Sequence, residues 1–351
     1  MEIQITDPTY DSQLIPSYFN RIAVSRIVDP RDLPFVRLIL SVALTVIPFA
    51  VYLFCSPHFS FWVGGLYLLL VMGHFFAPVI LMLHNTSHRV LFRTEVTRLN
   101  SIIPWVISPF FGQTPGTYFS HHIGMHHIEG NLPEDLSSTM EFQRDSFLGF
   151  LHYLGDFYVF GFARLVVYFR DKKRFKLLRK ILIGELSFYL MVSTLAMMNT
   201  RATVFVFVVP FCVGRFGMMA GNWAQHAFVD SSDPANPYRN SITCINTSYN
   251  RRCFNDGYHI GHHLKSSRHW TLMPQDFLQN RDLYAREQAI VFNGIDYFGV
   301  WCCLMLKRYD WLARRFVQFG QQSMSQDEVI CLLRNRTRKI SRETYGIILM
   351  N

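Results

Sequence analysis

Apolar residues in this chain gather in long runs separated by polar breaks. The first run, about 35–55, goes from Phe35 to Cys55. It is long enough to cross a hydrocarbon core, which takes about 20 residues. Ser56-Pro57-His58-Phe59-Ser60 is a tight turn, and a second run at about 61–83 ends directly at His84. A second pair of runs, about 181–198 and 202–224, turns at Asn199-Thr200-Arg201 and ends near His226. The pattern predicts four transmembrane helices in two hairpins. Gly214, Gly217 and Gly221 on the fourth run suit close helix packing.

The remaining apolar stretches are broken. Residues 101–120 contain Pro104, Pro109, Gly112, Pro115 and Gly116, a backbone that a lipid-exposed span does not tolerate, so a re-entrant or interfacial segment is expected. Residues 145–169 mix aromatics with scattered charges and predict an amphipathic helix in the membrane interface. Residues 289–306 are apolar but short and contain Asp296, which favours an interfacial helix over a fifth span. Residues 1–33 are polar, with Pro8, Pro16 and Pro30, and no signal peptide is expected there. The tail from 320 is Gln/Ser-rich and then basic, and is expected on the membrane or partly disordered.

Composition agrees with a membrane location. Half of the 351 residues are hydrophobic and only 17% are charged, against about a quarter in soluble proteins. The net charge of +9 is unevenly placed. Arg164, Arg170, Lys172, Lys173, Arg174, Lys176, Arg179 and Lys180 crowd before the third run, whereas the turns after runs one and three hold a single basic residue, Arg201. By the positive-inside rule both termini and the loops opposite those turns are cytosolic. No basic patch is interleaved with base-stacking aromatics, so nucleic acid is not expected as a partner. The seven cysteines form no CxxC pair and read as reduced. Arg215 falls inside the fourth run and Glu185 is the one acid of the third. They either form a buried ion pair or Arg215 snorkels to the interface.

The chemistry lies in histidines at helical spacing. His84-Asn85-Thr86-Ser87-His88 is an i, i+4 pair, and His122-Ile123-Gly124-Met125-His126-His127, preceded by His121, reads HxxxHH. Asn222 and His226 are again i, i+4, and His259-Ile260-Gly261-His262-His263 reads HxxHH. Such positions share a helix face, and clustered imidazoles build sites for iron, zinc, copper or nickel. Each box ends or follows a predicted span on the cytosolic side. His58, His74 and His152 read as ordinary turn or packing residues.

These boxes, placed around two transmembrane hairpins, resemble the membrane-bound fatty acid desaturase family and its hydroxylase relatives. The resemblance covers about residues 35–280. It implies an all-α integral membrane fold whose cytosolic helical cap holds a histidine-rich di-metal site. It also divides the chain into a cytosolic segment 1–33, a catalytic domain 34–280 and a cytosolic or interfacial region 281–351. The implied metal shell is His84, His88, His122, His126, His127, Asn222, His226, His259, His262 and His263. The Asn222 assignment follows stearoyl desaturases, in which an Asn at i−4 from a His on the fourth span faces the metals. Two iron ions and dioxygen are implied, with the desaturation of a lipid acyl chain as the reaction. Electrons are expected from an external carrier, a cytochrome b-type protein or a ferredoxin with its reductase, because no haem or flavin motif is present.

The first box is one residue shorter than in many acyl-CoA desaturases and the second is HxxxHH where HxxHH is usual. His121 or His122 can serve as the ligand. Glu129, Asp135, Asp230 and Asp256 are candidates to orient the imidazoles. Hydroxylation on the same scaffold is the nearest rival reaction. A zinc hydrolase lacks its HExxH here, and a metal transporter would place its ligands nearer the bilayer midplane. The membrane is that of the endoplasmic reticulum in a eukaryote or the inner membrane in a bacterium.

Overall fold

The computed structural model describes residues 4–9, 17–319, 324–343 and 345–346. Among the described residues five helices are long and apolar enough to cross a membrane by length and composition: α1 (Pro30–Cys55), α2 (Phe61–His88), α3 (Phe147–Asp171), α4 (Phe175–Met198) and α5 (Thr200–Gln225). Four of them carry the four runs read from the sequence. α3 is the addition, since the pattern there predicts an interfacial amphipathic helix. Asp156 and Arg164 break its apolar run, but they pair with each other, and the Arg164 guanidinium lies 5.3 Å from the centre of the Phe160 ring.

Prolines shape two of these helices. α2 contains a π-helical stretch, Leu69–Phe75, and α5 contains another, Val204–Val208. Each lies just before a proline, Pro78 or Pro210, that has no N–H to give to the preceding turn. The wider turn absorbs the missing bond.

Contacts divide the chain into two compact units. One takes its residues from Tyr10–Gly124 and Tyr168–Gly217. Here residues 101–120 form short helical turns, Ile103–Ile107 and Ser108–Phe111. Ile103, Ile107 and Phe111 are buried, and Ser108 Oγ donates to the Ile103 carbonyl at 2.7 Å. The segment packs tightly on its neighbours. Gly112 has φ 75°, and a Cβ on it would sit 2.2 Å from the Pro210 carbonyl oxygen. A Cβ on Gly184 of α4 would sit 1.7 Å from the Pro115 carbonyl oxygen.

The other unit takes its described residues from Met1–Thr9, Met125–Val167 and Met218–Asn351. It departs from an all-α fold by a parallel pair, β1 (Ile242–Ile245) and β2 (Ile290–Asn293), with Ile242 opposite Ile290. Each is only four residues long with three apolar positions, ITCI and IVFN, a pattern that periodicity does not distinguish from buried helix. The expected helix over 289–306 therefore begins as a strand. It turns at Gly294 (φ 72°), and α7 (Tyr297–Met305) starts only after Asp296. The Asp296 carboxylate caps that helix by accepting from the Gly299 N–H at 2.8 Å. The short helix α6 (His259–Leu264) carries the third box. The tail holds α8 (Gln326–Arg336), opened by a capping box of Ser325 and Glu328. Arg336 is buried and pairs with Asp230 at 2.9 Å, so this part of the tail is packed structure, against the partial disorder that is one of the two expectations for it.

Candidate metal centre

Four imidazoles meet within the unit that carries α6. The donor atoms of His126, His226, His259 and His263 all lie within 4.8 Å of one another. His259 Nε2 is 3.3 Å from His226 Nε2 and 3.0 Å from His263 Nε2. Ligands about 2.1 Å from a shared ion lie about 3.0–4.2 Å apart, so the donor set fits one ion.

The outer nitrogens set the orientation. His126 Nδ1 meets the Asp135 carboxylate at 2.7 Å, and His226 Nδ1 meets the Asn240 carbonyl at 2.9 Å. Each contact puts the proton on Nδ1 and leaves Nε2 as the coordinating nitrogen. Asp135 is itself fixed by the Asn131 N–H, the Ser137 N–H and the Ser137 hydroxyl. Burial works to raise its pKa, but the adjoining His126 imidazole and these hydrogen bonds outweigh burial and hold the carboxyl below its usual range. Burial, then the neighbouring His126, pushes His226 down to about 4. Burial, then His259 and the other imidazoles, pushes His263 well below its ordinary value. Both are therefore neutral near pH 7, the state in which imidazole binds a metal.

The remaining histidines form smaller groups. In the same unit His127 Nε2 is 2.9 Å from His262 Nε2. In the other unit His88 Nε2 is 3.0 Å from His122 Nε2, and the His84 ring centre is 4.5 Å from that of His122. His122 belongs to this trio, and His121 does not. The second box is split because His122–His126 is a π-helical turn, which changes the angle between side chains from the α-helical one.

Asn222 is tied into the same neighbourhood. Its Nδ2 donates to the Ser137 carbonyl at 2.9 Å and to the Tyr153 hydroxyl at 2.8 Å, within the network behind His126. Among the acids singled out, Asp135 orients a histidine, whereas Asp230 pairs with Arg336 and Asp256 accepts from the Tyr249 hydroxyl. Asn240, Ser137 and Tyr153 are functional neighbours that no spacing announces.

The fatty acid desaturase family model matches residues 59–293, more than half of the chain and all of the boxes. The chain belongs to the fatty acid desaturase family. No curated protein and no solved structure gave a match. As a fatty acid desaturase family member it is a lipid-modifying oxidoreductase with an acyl substrate and a membrane setting, and its clustered histidines are suited to the metal such enzymes carry. Two parts of this family member lie outside the match: the chain before residue 59, with α1, and the chain after residue 293, with α7 and α8.

Proposed function

We propose that the chain desaturates a fatty acyl chain of a membrane lipid, using two iron ions and dioxygen. The observation that carries this reading is the inward facing of imidazole nitrogens, with His259 Nε2 3.3 Å from His226 Nε2 and 3.0 Å from His263 Nε2. Nitrogens this close repel each other unless a proton or a cation lies between them. Bound iron would supply the activation of dioxygen and the cleavage of a strong methylene C–H bond. His126, His226, His259 and His263 would hold one ion. His84, His88 and His122, with His127 and His262, would serve the second, and the joining of the two groups in one centre follows the box pattern of the sequence. Asp135 and the Asn240 carbonyl keep protons on the outer nitrogens of His126 and His226, which aims both rings. Asn222 supports the same shell through Ser137 and Tyr153. Electrons come from a small external carrier of cytochrome b or ferredoxin type and its reductase.

The reading places four crossings, not five, and the boxes in the cytosol. His126 precedes α3 and His226 follows α5, yet the two ring centres are 5.3 Å apart. An even number of crossings must separate them. α4 and α5 are joined through the single residue Asn199, which suits a hairpin, and the α3–α4 connection is the charged stretch Lys172–Arg174. Two crossings by α4 and α5, with α3 in the interface, satisfy the parity.

The test is metal analysis of the purified chain together with lipid profiling in a host that lacks the activity. Two irons per chain and a new acyl double bond are expected. A hydroxylated product would move the assignment to hydroxylase, and zinc in place of iron would overturn it.

A further inference from the structure

The third histidine box is held from the far end of the chain. Asp7, in the described segment 4–9, is only 5% exposed. Its Oδ2 accepts from the Asn246 N–H at 2.7 Å, from Asn250 Nδ2 at 3.0 Å and from the Tyr258 hydroxyl at 2.7 Å. Its Oδ1 accepts from the Thr247 N–H at 3.2 Å. Four donors, none of them a cation, converge on one buried carboxylate. Hydrogen bonds to an ionised acceptor are the stronger kind.

These bonds bear directly on α6. Tyr258 is the residue before that helix, and its carbonyl accepts from the His262 N–H at 3.0 Å. Asn250 Oδ1 accepts from the Gly257 N–H at 2.9 Å, and the Pro8 carbonyl accepts from Asn255 Nδ2 at 2.8 Å. Between these anchors Phe254 and Asn255 take φ 53° and 54°, a left-handed backbone that non-glycine residues adopt only when their surroundings impose it. α6 itself is six residues long. A helix that short does not hold its own pitch in water, so the loop ahead of it sets where His259 and His263 point.

We infer that Asp7 is a positioning residue for the metal centre, fixing the 246–258 loop so that His259 and His263 face His226. Asp7 lies outside the family match at 59–293, which makes the N-terminal segment part of the site's construction. The inference rests on the two-iron reading.

The experiment is titration of metal-free wild type, Asp7→Ala and Tyr258→Phe with cobalt(II), followed by its ligand-field absorption, with circular dichroism to check helix content. Wild type should take up two ions. Asp7→Ala should keep its helix content, lose about 10- to 100-fold in affinity, the range seen when outer-shell partners are removed, most at the ion held by His259 and His263, and shift that ion's absorption band, with a smaller loss at the ion that His262 serves. Tyr258→Phe removes one of the four bonds and should weaken the same ion by a smaller factor. An Asp7→Ala chain that binds both ions as tightly as wild type, with the same spectrum, overturns the role of Asp7. Should Asp7→Ala not fold, unchanged affinity in Tyr258→Phe overturns it instead. A wild-type chain that takes up neither cobalt nor iron defeats the two-iron reading itself, which is a separate failure.

Discussion

Arg215 Nη2 of α5 lies 3.8 Å from Glu185 Oε1 of α4, with both side chains largely shielded. The contact is long for an ion pair because each partner has other attachments. Glu185 Oε1 also accepts from the hydroxyls of Thr114 and Thr117. Arg215 donates to the Gly112 carbonyl at 3.2 Å and lies over the Phe211 ring at 3.6 Å. The pair thus clamps residues 112–117 between α4 and α5, and Arg215 does not snorkel away. Glu185→Gln and Arg215→Met should each strand the opposite charge, at about 3–5 kcal/mol. The double variant should recover part of that loss. Strictly additive losses in thermal unfolding of the four proteins would remove the pair from the account.

The choice between adjacent histidines gives a second prediction. His122 sits with His84 and His88, so His122→Ala should lose bound iron and turnover while His121→Ala keeps both. His126→Ala, His226→Ala and His263→Ala should likewise lose iron. Asp135→Ala should act more mildly, lowering iron affinity about 10- to 100-fold through the loss of orientation at His126. Retained iron in His122→Ala with loss in His121→Ala would reverse the assignment.

Parity gives a third. A glycosylation acceptor placed in the 56–60 turn or beside Asn199 should be modified in a eukaryotic membrane, and one placed at 172–173 should not. The chain already carries acceptor sequences at Asn85-Thr86-Ser87, Asn246-Thr247-Ser248 and Asn335-Arg336-Thr337. All three lie on the histidine side of the proposed topology and should stay bare. A glycan on any of them would put the metal site on the wrong face for cytosolic electron donors.

The parts of the molecule legible in the sequence are those with a period or a run. α1, α2, α4 and α5 announce themselves as apolar runs, and nine histidines announce themselves by spacing. What escapes is built from other signals. The pairing of Asp156 with Arg164 on α3 is one, because two charges eight residues apart read as independent. The π-turn at His122–His126 divides one box between two groups, which α-helical spacing does not foresee. β1 and β2, four residues each, are too short to show alternation. Asn240 and Asp7 act through contacts set by the fold, and Asp7 reaches a tyrosine 251 residues away. No local pattern carries that information.

The tightness of residues 112–115 yields a fourth prediction. Because a Cβ on Gly184 would overlap the Pro115 carbonyl, Gly184→Ala must push α4 off the segment that leads into the second box. The overlap is with backbone, which has no rotamer to move aside. Gly184→Ala should therefore lower thermal stability, whereas Gly65→Ala, with no atom near its would-be Cβ, should not. Equal melting of the two variants would contradict this packing.

The last prediction concerns Arg144, which is fully buried. Its Nε donates to the Ala227 carbonyl at 3.0 Å. Nη1 donates to the Thr139 and Met140 carbonyls at 3.3 and 3.1 Å, and Nη2 to the Arg336 and Arg338 carbonyls at 3.0 and 2.5 Å. One guanidinium thereby joins three stretches: 139–140, the residue after the ligand His226, and the 336–338 tail. Thr139 adds a hydroxyl bond to the His226 carbonyl at 2.7 Å, so the same knot fixes the backbone of that ligand. A lysine offers three donors from one point and cannot span these carbonyls. Each buried carbonyl left without a donor costs about 1–3 kcal/mol. Arg144→Lys should therefore destabilise the chain nearly as much as Arg144→Met, despite keeping the charge. Truncation after residue 323 removes two of the acceptors together with α8, and should lower both thermal stability and iron retention. A truncated chain that melts and holds iron like the full one would show that the tail does not support the metal centre.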